Sequence, residues 1–324
     1  MEKFFISFPH IAEDLFGSLD SGTLENCSQV CQSWKKYLEG KIFFWTKLTN
    51  GHPGWDRLIA EKNFELLSTL KTTFLVMKVD PSISDLGIHP IFCAIHMGDI
   101  EIFKKLKSLD PNLSKLKIAT KWMESICEIS PIHYAAKLGR HQIVNFLLKI
   151  TIEEEISDIS LTPMHYAAGE GHLETVRLFL DNIEGDRNPK NKFGTTPLHL
   201  AARYGHLKTV RLLLNNIEGD KNPKSNFGYT VLHYAAGEGH LETVRLLLDN
   251  IEGDRNPESK PGCTPLHLAA RNGHLETVRL LLNNIEGDKN PKSKYEYTPL
   301  HYAAREGHLE IVRLFLDNIE GLEH

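Results

Sequence analysis

Between residues 89 and 321 the hydrophobic positions repeat in a two-phase pattern, and both phases have the spacing of a helix face. In the copy that begins at Thr196, Leu198, Ala201 and Ala202 line one side of a short helix. Thr196 is a natural N-cap, because its hydroxyl can accept from a free backbone N–H, and Pro197 suits the first turn, where its missing N–H is not needed. Gly205 permits the left-handed conformation that ends the segment. A second helix follows from about His206, with Leu207, Val210, Leu213, Leu214 and Ile217 on one face and Gly219 as its expected stop. Each unit therefore predicts a helix pair and a polar connector. Such a pair cannot bury both of its faces alone, so neighbours must stack into a solenoid held by contacts between adjacent units.

The same text begins at Thr162, Thr196, Thr230, Thr264 and Thr298, a period of 34 residues. Degenerate copies begin at Ser130 and His89, which makes seven units. A longer period lies above the first: the copies at 162 and 230 carry YAAGEGHLE and DRNP, and those at 196 and 264 carry LAAR and DKNP, as if a two-unit block had been duplicated. The first connector is longer than the others, which implies an insertion of about seven residues around Lys115 to Glu128 relative to the repeat period. The TPLH, AA, GH and VRLLL elements resemble ankyrin repeats, at a period one residue longer than the roughly 33 usual for them. The resemblance covers 89–321 and is weakest in the first unit, where His89 replaces the threonine. It implies an all-α fold and a protein target held by the connector tips and the exposed face of the first helices. The matching residues are Lys190, Lys192, Phe193, Arg203 and Tyr204 in one unit and Lys224, Phe227 and Tyr229 in the next. Further on they are Arg271, Lys292, Lys294, Tyr295, Tyr297 and Arg305. Exposed aromatics and arginines are residue types that anchor protein interfaces.

Residues 8–48 do not follow the repeat. Leu15, Phe16 and Leu19 suggest one short helix, Leu24, Cys27, Val30, Cys31 and Trp34 a second, and Phe43, Phe44, Trp45 and Leu48 an aromatic-rich third. The order Pro9, Leu15-Phe16, Leu19-Asp20, Val30-Cys31, Trp34, Trp45, Leu48 resembles the F-box, which docks on the Skp adaptor of cullin-based ubiquitin ligases. Phe8 stands where that family usually has leucine, and the gap from Pro9 to Leu19 is one residue short, which displaces the first helix. The resemblance implies that Phe8, Pro9, Leu15, Phe16, Leu19, Leu24, Val30, Cys31 and Trp34 include the adaptor-facing or core-forming positions. The expected organisation is an F-box-like unit over 1–49, a helical bridge over 50–88 and the repeat array over 89–321. Leu322-Glu323-His324 reads as an appended remnant, because the last helix keeps Ile311, Leu314, Phe315 and Ile319 without the polar outer face a terminal repeat normally carries.

Composition narrows the chemistry. The chain has 324 residues and a formal net charge of -5 without long runs of one sign, which is unlike the basic footprint of a nucleic-acid binder. No stretch approaches the roughly 18 apolar residues of a membrane span, and the opening MEKFFISFPH is interrupted too early to be a signal peptide. The five cysteines form no even framework, which fits a reducing cytoplasmic or nuclear compartment. Histidines at 133, 165, 199, 233, 267 and 301, and at 172, 206, 240, 274 and 308, recur at fixed repeat positions and read as structural ties between backbone groups. HExxH is absent, and Cys27 with Cys31 lack further ligands nearby, so neither a metal nor another cofactor is expected. Gly169-Glu170-Gly171 and Gly237-Glu238-Gly239 lack the Gly-Lys-Ser/Thr ending of a phosphate loop and read as helix ends. No nucleophile, base and orienter are brought together, so no catalytic residue is assigned. Two functional readings follow: a substrate receptor that joins a Skp–cullin ligase to a target protein, or an ankyrin scaffold or competitor with no ligase role.

Overall fold

The computed structural model describes residues 90–109, 116, 118–122, 125–150, 161–182 and 185–320. The F-box-like segment, the bridge over 50–88 and residues 322–324 lie outside the described residues. The chain divides into two compact units, Met1–Ala135 and Ala136–His324.

In the first unit the helix pair α1 (Pro90–Met97) and α2 (Ile100–Leu109) is followed by strands β1 (Ile118–Trp122) and β2 (Ser125–Ile129) and the start of α3 (Pro131–Lys137). Ile91, Phe92, Ile95, Phe103 and Leu106 are buried. Tyr134 meets the edge of Phe92 at 5.8 Å, and its hydroxyl lies 3.0 Å from His96 Nδ1. The inserted stretch in the first connector is an antiparallel hairpin with Ile118 opposite Ile129 and Trp122 opposite Ser125. It is the exception to the all-helical expectation. Isoleucines, a threonine and a tryptophan favour the pleated conformation, and no unit repeats there to impose a helix.

The second unit is the solenoid. Helix α4 (His141–Leu148) is followed by four pairs, α5 (Pro163–Gly169) with α6 (Leu173–Asn182), α7 (Pro197–Arg203) with α8 (Leu207–Asn216), α9 (Val231–Gly237) with α10 (Leu241–Asn250), and α11 (Pro265–Arg271) with α12 (Leu275–Asn284). A fifth pair is α13 (Pro299–Glu306) with α14 (Leu309–Glu320). First helices pack on first helices and second on second, so the core runs along the stack as layers of Leu198, Ala201 and Ala202 against Val210, Leu213 and Leu214 and their equivalents.

The threonine cap forms as expected, and histidine completes it. At Thr196 the His199 N–H donates to Oγ1 at 3.4 Å while the Thr196 N–H donates to His199 Nδ1 at 3.2 Å. This is the reciprocal capping arrangement, with histidine in the role usually taken by Glu or Gln. Helix α9 starts in the same way at Thr230 although Val231 replaces the proline, so the cap alone suffices.

The stop of the second helix differs from the expectation at Gly219. Helix α8 ends at Asn216, whose Nδ2 donates to the Leu212 carbonyl one turn back at 2.8 Å, and Ile217 is already extended so that its side chain can be buried. Gly219 lies beyond, in the connector. Asn182, Asn250, Asn284 and Asn318 make the same bond in their helices.

Candidate functional site

The capping histidines are fixed in one role by their two bonds. Because Nδ1 accepts from the threonine N–H, Nε2 carries the proton and donates to the next unit: His165 to the Thr195 carbonyl at 3.1 Å, His233 to Cys263 at 2.9 Å and His267 to Tyr297 at 3.1 Å. His199 Nε2 faces the corresponding Tyr229 carbonyl outside hydrogen-bond geometry. Burial pushes His199 and His233 down to about 4, and it lowers His267 as well, so these rings are neutral near pH 7. The second histidine set ties units in the opposite direction. His206 Nε2 lies 2.9 Å from the Gly169 carbonyl, and His240 Nε2 lies 2.9 Å from that of Arg203. His165, His233 and His267 of the first set and His172, His206, His240, His274 and His308 of the second thus act as structural ties to backbone carbonyls of adjacent units.

These ties leave the connector tips and first helices as the surface with free chemistry. The tips are laced together by backbone bonds: Asn226 donates to the Phe193 carbonyl at 2.9 Å, Lys260 to Phe227 at 2.9 Å and Lys294 to Pro261 at 3.1 Å. Each tip is therefore held by its neighbour, and the residues it carries form a row. Phe193, Phe227 and Tyr295 stand at the same tip position with 47%, 60% and 70% of their surface exposed, and Pro261 occupies that place in the intervening tip. Lys192 lies over the Phe193 ring at 5.2 Å.

Of the residues expected to face a target, Lys190, Lys192, Phe193, Tyr204, Lys224, Phe227, Arg271, Lys292, Lys294, Tyr295, Tyr297 and Arg305 are exposed. Arg203 and Tyr229 are half-buried. Arg203 packs over the rings of Tyr204 and Tyr234 at 5.8 and 5.9 Å and lies 3.6 Å from Glu238. Tyr229 meets the edge of His233 at 5.3 Å and tilts on Tyr234 at 6.2 Å. The first helices add Tyr234 and Tyr302, which were not among the expected contacts. Tyr302 tilts on Tyr297 at 5.7 Å and carries the Arg305 guanidinium at 5.2 Å. A signal for both was present: the fourth position of the first helix reads Tyr166, Leu200, Tyr234, Leu268, Tyr302, the tyrosine recurring with the two-unit block.

The second-helix side has a different character. Glu174–Arg177, Glu242–Arg245 and Glu276–Arg279 form solvated i,i+3 pairs at 3.6 to 3.8 Å, each worth about 0.2–0.5 kcal/mol. The connectors there line two open, polar depressions of about 440 and 410 Å³, one around Asp186, Arg187 and Asn216 and one around Asp254, Arg255 and Asn284. Among the described residues no group of three or more His, Cys, Asp or Glu side chains is placed to hold a metal ion, and no helix is long and apolar enough to cross a membrane. Cys93 is buried, and burial pushes its thiol well above the usual range.

No individual curated protein matches the chain. A sequence profile described as ankyrin repeats (3 copies) matches residues 91–190, 183–257 and 251–323, and ankyrin repeats imply a protein partner. Matched over well more than half of its length, the chain belongs to the ankyrin-repeat family.

Proposed function

We propose that this protein is a substrate-recognition adaptor of a Skp–cullin–F-box ubiquitin ligase, docking on the Skp adaptor through residues 8–48 and holding its target on the tips and first helices of the repeats. The observation that carries the ligase half is the ordered resemblance of Pro9, Leu15-Phe16, Leu19-Asp20, Val30-Cys31, Trp34, Trp45 and Leu48 to the F-box. The target half is supported by the exposed row of Phe193, Phe227 and Tyr295 and by the tyrosine–arginine contacts beside it. The mechanism needs no catalytic group in this chain. Holding a target beside the ubiquitin donor raises the effective concentration of its lysines there, and proximity of this kind supplies the rate advantage.

The test is a pull-down of purified Skp adaptor, with and without cullin, by the full chain. Capture that is lost in a Pro9→Ala/Leu15→Ala variant with unchanged helical circular dichroism supports the reading. Failure of the unaltered chain to capture any Skp adaptor at micromolar concentration would leave an ankyrin scaffold without a ligase role.

A further inference from the structure

The four connector tips between Pro189 and Tyr297 are copies of one another in backbone as well as in sequence position. At the residue after Phe193, Phe227, Pro261 and Tyr295 the chain lies in the left-handed region each time, with φ 72 at Gly194, 78 at Gly228, 77 at Gly262 and 65 at Glu296. The bonds between tips are copied too. The N–H groups of Asn226, Lys260 and Lys294 donate to the carbonyls of Phe193, Phe227 and Pro261, the same position in each preceding tip. The four side chains therefore project alike, and the three rings are exposed rather than packed into the stack. Helix pairs stacked about 10 Å apart set successive tips about 10 Å apart.

Lysines flank this row. The tips carry Lys190, Lys192, Lys224, Lys260, Lys292 and Lys294 against Glu258 and Glu296, although the chain as a whole has a formal net charge of -5. Among the described residues only Lys292 of the six has a carboxylate partner, Glu296 at 2.7 Å. Lys224 reaches the Glu258 backbone carbonyl at 3.3 Å, which ties two tips without neutralising the ammonium. The tips are thus a positive, aromatic ridge on a negative chain, and complementarity of charge selects an acidic partner for it.

The spacing selects its conformation. A helix rises about 1.5 Å per residue, so it crosses one tip in about seven residues, which is two turns and returns a side chain to the same face with a drift of only about 20°. An extended chain crosses the same distance in about three residues, which turns successive contacts to opposite faces and cannot meet both Phe193 and Phe227. We propose that the tip row seats an acidic amphipathic helix of the target protein, lying along the stack with an apolar side chain every seven residues on Phe193, Phe227, Pro261 and Tyr295 and carboxylates on the flanking lysines. This rests on the reading of the repeats as the target-binding half. Four contacts span about 30 Å, or about 20 residues of helix.

The experiment selects a phage-displayed random library of peptides of about 24 residues against the intact chain, and measures the most enriched peptide, fluorescein-labelled, by anisotropy and by circular dichroism. The expected peptides are rich in Asp and Glu, carry apolar residues at intervals of seven and gain helix on binding. Phe227→Ser should weaken the enriched peptide by about ten-fold or more, as loss of an interface anchor does, and Lys192→Glu with Lys260→Glu should do the same. Glu258→Lys, which completes the lysine flank, should strengthen it, and a rise in salt should weaken it. Lys208→Glu, on the second helix of the same repeat array, should leave it unchanged. All five positions are exposed, so the circular dichroism of the chain should be the same in every variant. Peptides that need Phe227 but bind extended, or lack the seven-residue spacing, would overturn the helix and leave the tips as the target surface. Peptides indifferent to Phe227, or no enrichment, would overturn both. Pelleting of the chain with vesicles of phosphatidylserine and phosphatidylcholine in equal parts, dependent on Phe227 and without peptide enrichment, would assign the ridge to a membrane surface and overturn the proposal. Skp-adaptor capture is measured on the same preparations, and its absence beside Phe227-dependent helical peptides would sink the ligase reading alone.

Discussion

Acid should loosen the array through the buried capping histidines, and the effect has a defined window. His199 and His233 are held near 4 in the folded chain by burial, which outweighs the upward pull of neighbouring backbone carbonyls, with a smaller downward contribution from Lys190 at His199 and Lys224 at His233. In the unfolded chain their ordinary value is 6.5. Between those values the unfolded state binds more protons than the folded one, so stability falls as pH falls, beginning near 6.5 and levelling off near 4. At pH 5 linkage gives a loss of about 2 kcal/mol for each of the two rings, about 4 kcal/mol together, with His267 acting in the same direction. The exposed carboxylates Glu296 and Glu306 are both lowered by their ion-pair partners; their contribution is present above the ordinary carboxylate value of 4.5 and lost only as pH falls below it, which is beneath the pH 5 end of the measurement. Urea unfolding followed by far-ultraviolet circular dichroism at pH 7.5, 6 and 5 and constant ionic strength measures the loss as a falling midpoint, which is the safer readout for a solenoid whose unfolding is not strictly two-state. His233→Gln, which cannot titrate, should be less stable at pH 7.5 yet shed roughly half of the pH dependence carried by the two rings. A midpoint that does not move between pH 7.5 and 5, or a His233 ring that titrates by NMR near 6.5 in the folded chain, would refute the reasoning.

Three further outcomes follow from the repeat geometry. Gly205→Ala should destabilise the array by more than the roughly 1–2 kcal/mol of a left-handed non-glycine residue, because at φ +72 its Cβ would sit 2.5 Å from the His240 ring and disturb the bond to the Arg203 carbonyl; thermal melting measures it. Glu296→Gly should stabilise by about 1 kcal/mol in the same assay, since Glu296 adopts φ 65 at the tip position where earlier units have Gly194, Gly228 and Gly262. Replacing Phe193, Phe227 and Tyr295 together by serine should leave the melting point within a few degrees of the parent, because the side chains are exposed, while target capture falls and adaptor capture persists.

What could be read in advance depended on how local the cause was. Thr196-Pro197 and its copies announce their helix starts because a cap acts within one turn, and the period of 34 gives the stacking because each helix pair leaves apolar faces uncovered. The stop of the second helix was misread at Gly219: a glycine is the more familiar terminator, and the bond from Asn216 to the Leu212 carbonyl is visible only once the last turn exists. The hairpin over 118–129 was legible as an insertion but not as strands, since a short stretch with no repeat to compare it with carries little periodic signal. On the candidate surface, exposure of the tip residues could be argued from the family pattern. The packing of Arg203 on Tyr234 could not, because it joins adjacent units and neither residue signals it alone. The tyrosine alternating with leucine along the first helices was the available clue to Tyr234 and Tyr302.

The central claim is that one chain joins a Skp adaptor to a target, and titration calorimetry of purified Skp adaptor into the full chain tests it most directly. The account predicts one-to-one binding with a dissociation constant in the micromolar range or tighter, lost in Trp34→Ala and in Pro9→Ala/Leu15→Ala, with the thermal unfolding of the repeats unchanged in both. No heat of binding from the unaltered chain, or binding that persists in both variants, would contradict it.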